Sequence, residues 1–196
     1  MGMNDTAWKN LFDKYHILAE VKKNGQFIIS ANQSKEFREP RLMTKFDHRI
    51  NLPAVFAENN LSILPITRGD YVIASFSAYK EFEEPSPEVQ RISIPSHIQS
   101  LIPQFLVSEA IALTCANACG VLSDFLEDDG LVPTVSGRMS SGSFSFNINT
   151  AFGTKNIAVN NSQIEIDAAY EGIQYLSLFE AKRDLSDDFL IRQLYY

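Results

Sequence analysis

Near the end of the chain, residues 163–171 run into residues 173–182 through Glu171-Gly172, and the second stretch finishes Leu176-Ser177-Leu178-Phe179-Glu180-Ala181-Lys182. Both stretches read as strands and the Glu171-Gly172 pair as the turn of a hairpin. Strand side chains alternate, so Glu165 and Asp167 share one face, with Ile164 and Ile166 on the other. Leu176, Leu178, Glu180 and Lys182 likewise share a face of the second strand. An apolar strand ending in Glu-x-Lys sets an acid and an amine side by side at the border of a core. With Asp167 on the neighbouring strand, two carboxylates and the Ala181 carbonyl make an oxygen donor set for a hard cation, Mg²⁺. Waters and a phosphate oxygen would complete its octahedron. Lys182 would hold or help deprotonate the attacking water, while the metal lowers that water's pKa and stabilises the charge gathering on phosphorus. Glu165 has the same parity but lies farther from the strand end. The plain alternative for so short a pattern is an exposed strand end carrying a salt bridge.

The elements that must position these groups can be read upstream. Residues 107–127 carry Ala110, Ile111, Leu113, Ala118, Val121, Leu122 and Phe125 at helical spacing, and Asp128-Asp129-Gly130 ends the helix. Residues 143–148 alternate Phe144, Phe146 and Ile148 with polar residues, and 163–169 alternate again. Asp187 or Asp188 is placed to cap a final helix over 189–196. The order is helix, three strands, helix. Before it, residues 5–23 read as helical, residues 26–30 as a strand, and residues 61–76 as extended. Residues 81–88, with two prolines and four glutamates, read as a linker. The expected organisation is therefore an N-terminal α+β module over 1–84, with a winged helix among its candidate forms. A lead-in over 85–106 and a C-terminal core over 107–196 follow.

The Asp167 and Glu180-Ala181-Lys182 pattern resembles the PD-(D/E)xK nuclease superfamily and, within it, type II restriction endonucleases. The resemblance implies an α+β protein with a restriction-endonuclease-like core of helix, three-stranded meander and helix, and Mg²⁺-dependent hydrolysis of DNA phosphodiesters. It assigns catalysis to Asp167, Glu180 and Lys182, with Gln193 of the following helix near the site alongside Tyr195 or Tyr196. It assigns metal ligation to Asp167, Glu180 and Ala181, with Glu109 of the first helix joining them. Double-strand cleavage implies a homodimer. The eponymous proline is replaced by Ile166. The chain reaches Tyr196 before the family's last strand, which leaves the core to be completed by further sequence or by another chain. A non-catalytic DNA-binding or interaction protein with a nuclease-like fold is the competing expectation.

Charge is distributed to match. The chain carries a net −7, yet residues 1–80 hold 11 Lys+Arg against 8 Asp+Glu and residues 81–196 hold 6 against 16. A basic half joined to an acidic half suits a polyanion on one part and cations on the other. The densest basic run supplies Lys35, Arg38, Arg41, Lys45 and Arg49 as candidate contacts to double-stranded DNA, and Arg138 lies in a polar segment, 136–142, expected to be a loop. Glu36, Glu39 and Asp47 are interspersed, so a solvated, salt-bridged face is the alternative. Cys115 and Cys119 sit four apart on the apolar helix and need only pack. His16, His48 and His97 are too scattered for a zinc site, and no phosphate-cradling glycine loop occurs. Apolar and charged shares of 45% and 21% exclude a mainly disordered chain. No run spans a bilayer and no secretory leader is apparent, so the expectation is a cytoplasmic protein with no membrane partner.

Overall fold

A computed structural model describes residues 2–44, 46–81, 91–102, 108–182 and 187–191. Helix and strand are nearly balanced, at 31% and 34%, so the protein is a mixed α and β structure. The chain divides into two compact units. One comprises Met1–Phe82, Ser140–Ile164 and Ser186–Tyr196, and the other Glu83–Met139 and Glu165–Leu185. The sequence-based division was drawn at residue 84; in the compact units, residues 140–164 and 186–196 group with the N-terminal segment.

The first unit opens with α1 (Met3–Lys14), whose Ala7, Trp8, Leu11 and Phe12 form one buried stripe. The single helix expected over 5–23 is two, because His16 adopts a left-handed conformation, φ 51°. The second, α2 (Ile17–Asn24), buries Ile17 and Val21. Gly25, φ 77°, ends it by donating its N–H to the Val21 carbonyl at 2.7 Å, a conformation that costs glycine nothing. Next come β1 (Gln26–Ser30), α3 (Ala31–Lys35), α4 (Pro40–Met43), a 3-10 turn at Arg49–Asn51 and α5 (Ala54–Ala57). The hairpin of β2 (Ser62–Pro65) and β3 (Asp70–Ala74) completes an antiparallel sheet ordered β1-β3-β2.

This sheet is covered on both faces. Ile63 and Ile73, directly opposed, join Trp8, Leu11, Phe56 and Met43 in the main core. Leu64 and Val72 on the other face pack with Ile157 and Val159, which lie on a ribbon of β6 (Ser143–Thr150) and β7 (Gly153–Asn160). The remaining short pair is β4 (Tyr79–Glu81) with β10 (Asp188–Leu190). Residues 188–190 are therefore a strand and not the start of the expected final helix. Asp188 accepts the Arg49 N–H at 3.1 Å, and its carbonyl lies 3.0 Å from His48 Nδ1.

In the second unit, α6 (Glu109–Ala118) and α7 (Val121–Leu126) replace the one helix expected over 107–127. The break is Gly120, left-handed at φ 78°. They precede β5 (Val132–Ser140), β8 (Gln163–Glu171) and β9 (Leu176–Phe179), in sheet order β5-β8-β9. Residues 132–140 form a strand where a polar loop was expected at 136–142. Strand β7 was not foreseen at all, and β9 is shorter than the expected 173–182. Leu113 and Leu122 of the helices pack on Ala168 and Tyr170 of β8, flanked by Phe179 and Ala181. Among the described residues no helix is long and apolar enough to cross a membrane.

Trp8 is fully buried, stacks edge-on to Phe56 at 4.7 Å and donates its indole N–H to the Met43 carbonyl at 2.8 Å. Trp8→Ala should cost about 3–5 kcal/mol by removing the ring and orphaning that carbonyl, measurable as a lowered urea midpoint.

Candidate functional site

The hairpin of β8 and β9 pairs Ala168 with Phe179, Ala169 with Leu178, Tyr170 with Ser177 and Glu171 with Leu176. One further step of the same register sets Asp167 opposite Glu180. The two strands are linked at that level by the Ala181 N–H, which donates to Asp167 Oδ2 at 2.8 Å. Lys182 Nζ forms an ion pair with Glu180 Oε1, and the two side chains are 31% and 16% exposed, partly shielded from the screening that weakens surface pairs. The structure therefore brings Asp167, Glu180 and Lys182 together. Glu180 and Lys182 lie just beyond the end of β9.

Cross-strand partners share a face. Asp167, Ala169, Glu171, Leu176 and Leu178 lie on one side of the hairpin, and Ala168, Tyr170 and Phe179 on the side packed by α6 and α7. Glu109 begins α6, where Ser108 caps the helix by accepting the Ile111 N–H. Its neighbour Ala110 lines a cleft together with Asp167. Among the described residues, no three His, Cys, Asp or Glu side chains are grouped to hold a metal ion, so Glu109 does not join Asp167 and Glu180 in such a group. Ala181 contributes its N–H to the Asp167 contact, and its side chain packs with the Leu113 cluster. Gln193, Tyr195 and Tyr196 lie outside the described residues.

Beside α6, a cleft of about 190 Å³ is lined by Thr114, Thr134, Ser136, Asp167 and Tyr170, among others. Burial raises the Tyr170 phenol above its ordinary value, opposed by a hydrogen bond with Thr114. Tyr170 stays neutral and stacks edge-on to Phe179 at 5.7 Å, a packing role. Burial, and then the neighbouring Cys119, raise the Cys115 thiol, which keeps it protonated and unreactive.

The residue that sequence reasoning missed is Asp128, which was assigned only the end of a helix. It is 2% exposed, and its carboxylate gathers the loop between β8 and β9. Oδ1 accepts from Ile173 N at 3.1 Å, Oδ2 accepts from Tyr175 N at 3.0 Å, and both accept from Gln174 N at 3.2 Å. Gly172 must be glycine there, since a Cβ would fall 2.2 Å from Asp128 Oδ2. No local signal links an Asp-Asp-Gly helix stop to a turn more than forty residues on.

The basic residues divide. Arg38 donates to Asn4 Oδ1 at 2.5 Å, and Arg49 pairs with Glu81 at 3.2 Å. Arg138 lies on β5, not in a loop, and pairs with Glu165 at 3.2 Å. Lys35 and Arg41 are exposed, and Lys45 lies outside the described residues. Arg68, also exposed, sits in the β2–β3 turn.

Residues 74–196 match the family described as Domain of unknown function (DUF6997), which is more than half of the chain, and the chain belongs to it. Residues 5–73 match a second family, Domain of unknown function (DUF6996). The junction falls within β3. No curated protein and no solved structure matches the chain.

Asp128→Ala should remove the carboxylate acceptor of the Gln174 and Tyr175 N–H groups, with Ile173 keeping the Asp129 carbonyl at 3.2 Å, and cost about 2 kcal/mol, read as a lowered urea midpoint. Gly172→Ala should destabilise the same hairpin by displacing Asp128. Equal unfolding of both variants and the wild type would contradict this assignment.

Proposed function

We propose that this protein is a Mg²⁺-dependent endodeoxyribonuclease of the type II restriction kind, with Asp167, Glu180 and Lys182 as its reacting groups. The observation that carries this reading is the β8–β9 register, with Asp167 opposite Glu180 and tied to the backbone of Ala181 at 2.8 Å. Two carboxylates without histidine or cysteine suit a hard cation, and Mg²⁺ commonly takes only one or two protein carboxylates beside water and phosphate. Asp167, Glu180 and the Ala181 carbonyl would hold it. When bound, the ion lowers the pKa of its water and neutralises phosphate charge. Lys182, held by Glu180, would orient the attacking water and offer positive charge to the phosphate. The helix pair α6–α7 followed by the β5-β8-β9 sheet suits a restriction-endonuclease-like core.

The first unit supports a DNA-directed role. Helix, strand, short helices and a hairpin, with strand order β1-β3-β2, is the arrangement of a winged helix, and Arg68 lies at its hairpin turn. Lys35 and Arg41 are the exposed members of the basic run and would meet backbone phosphates. A homodimer would supply the second active site for double-strand cleavage. A second reading, a DNA-binding protein without catalysis, is favoured by the lack of a third carboxylate near Asp167 and Glu180 among the described residues.

A plasmid-cutting assay separates them. The wild type should cut with Mg²⁺ and stop when the ion is chelated. Lys182→Ala should lower the rate by about 100-fold or more, and cutting unchanged in that variant would overturn the role given to Lys182. Lys35→Ala and Arg41→Ala should each weaken DNA binding across sequences and reduce the slope of log K against log salt by about 1. An unaltered slope would remove those residues from the phosphate contact.

A further inference from the structure

The proposed chemistry makes no use of the β6–β7 ribbon. Its inner side is tied down, with Ile157 and Val159 buried beside Phe144, Phe146 and Ile148. Its outer side is the row of directly opposed pairs Ser143 with Asn160, Ser145 with Ala158, Asn147 with Asn156 and Asn149 with Thr154, all exposed. Asparagine is depleted from strands, and exposed strands are usually guarded by charge. Here four asparagines occupy one face, and residues 140–164 include no acid in a chain that has 24. A local rule broken with no packing gain marks a surface kept for function.

The amides are already ordered among themselves. Asn156 donates to Asn147 Oδ1 at 3.0 Å, Thr154 to Asn149 Oδ1 at 2.9 Å and Ser143 to Asn160 Oδ1 at 2.7 Å. In each pair the asparagine oxygen accepts, which leaves the NH₂ groups of Asn147, Asn149 and Asn160 as donors toward an outside acceptor. The oxygens of Asn147 and Asn149 each retain a second lone pair, whereas Asn160 Oδ1 also accepts from Asn161 Nδ2 at 2.9 Å.

We propose that this face reads base edges in the major groove of double-stranded DNA, an inference that rests on the DNA-directed reading above. The major groove, roughly 12 Å wide, admits a two-stranded ribbon, and an asparagine amide matches the N6 donor and N7 acceptor of adenine. Alternate residues of a strand are about 7 Å apart, close to two base-pair steps of about 3.4 Å each. Asn147 and Asn149 are thus spaced to address bases two steps apart. Charge agrees: the ribbon sets no carboxylate against the phosphates, and its unit holds 13 Lys and Arg against 11 Asp and Glu, a small net positive charge in a chain that is net negative. The deep, narrow major groove of A-form RNA would not admit the ribbon.

The test binds the full chain, without Mg²⁺ so that the DNA stays intact, to a library of randomised duplexes and sequences the bound pool. The wild type should enrich a motif with adenine at defined positions. The double variant Asn147→Ala, Asn156→Ala should lose about tenfold or more of the enrichment at those positions, with affinity for bulk DNA held within about twofold because the phosphate contacts remain. Ser145→Glu, which places a carboxylate on the exposed face, should weaken binding to every sequence. The same motif from wild type and double variant, no motif from the wild type, or a preference for duplex RNA would each overturn the proposal. Cleavage is scored separately. Loss of the motif in a protein that never cuts DNA would leave the ribbon standing and sink the nuclease, and an unchanged motif in a protein that does cut would do the reverse.

Discussion

The hydrogen bond from the Ala181 N–H to the Asp167 carboxylate, at 2.8 Å, is the contact on which the candidate site depends. It lies where the β8–β9 ladder ends, so it carries the pairing one residue farther than the strands themselves. A slip of one residue would turn Asp167 to the opposite face of the hairpin from Glu180 and dissolve the constellation. Register is held from both ends. The buried Asp128 carboxylate gathers the backbone of residues 173–175 at the turn, and Tyr170 and Phe179 lock side chains across the strands. A buried carboxylate is expensive unless it is hydrogen-bonded, and Asp128 offsets that cost by accepting from Gln174 and Tyr175 and by sharing the Ile173 N–H with the Asp129 carbonyl.

The division of faces follows from the same pairing. The side carrying Ala168, Tyr170 and Phe179 is covered by Leu113 and Leu122, and Asp167 and Glu180 lie on the other side. Acidic residues predominate in the second unit. Its carboxylates serve different ends: Asp128 organises a turn, Glu165 pairs with Arg138, and Asp167 and Glu180 form the candidate cation site. The first unit answers with a sheet packed on both faces and a small cationic excess, a mount for surface residues that face solvent.

Much of this was legible before any coordinates. Strand β1 follows from a short apolar run after Asn24-Gly25, whereas residues 61–76, read as one extended segment, are the two strands β2 and β3 joined by a turn. The strand pair of the site follows from alternation and from Gly172. The breaks in the two long helices were not legible. His16 carries no backbone preference strong enough to announce a left-handed conformation, and Gly120 lies within an apolar pattern that continues across it. Strand β5 is almost wholly exposed and shows no alternation, so its identity comes from its neighbour β8 and not from its own residues. In β7 the signal was present but brief, only Ile157 and Val159. Residues 188–190 look like a capped helix start, yet pairing with Tyr79–Glu81 overrides that local preference. The trio Asp167, Glu180 and Lys182 could be named from spacing because strand parity fixes faces. Glu109 could not be placed, because only the packing of α6 decides which side of the sheet it joins.

The central claim is that two strands present Asp167 and Glu180 to one divalent ion. Calorimetric titration of Mn²⁺, standing in for Mg²⁺, into the folded full-length chain tests it most directly. The account predicts a single saturable site that disappears in Asp167→Asn and in Glu180→Gln, while Glu165→Gln retains it. Equal binding by the wild type and both of the first two variants would contradict the account.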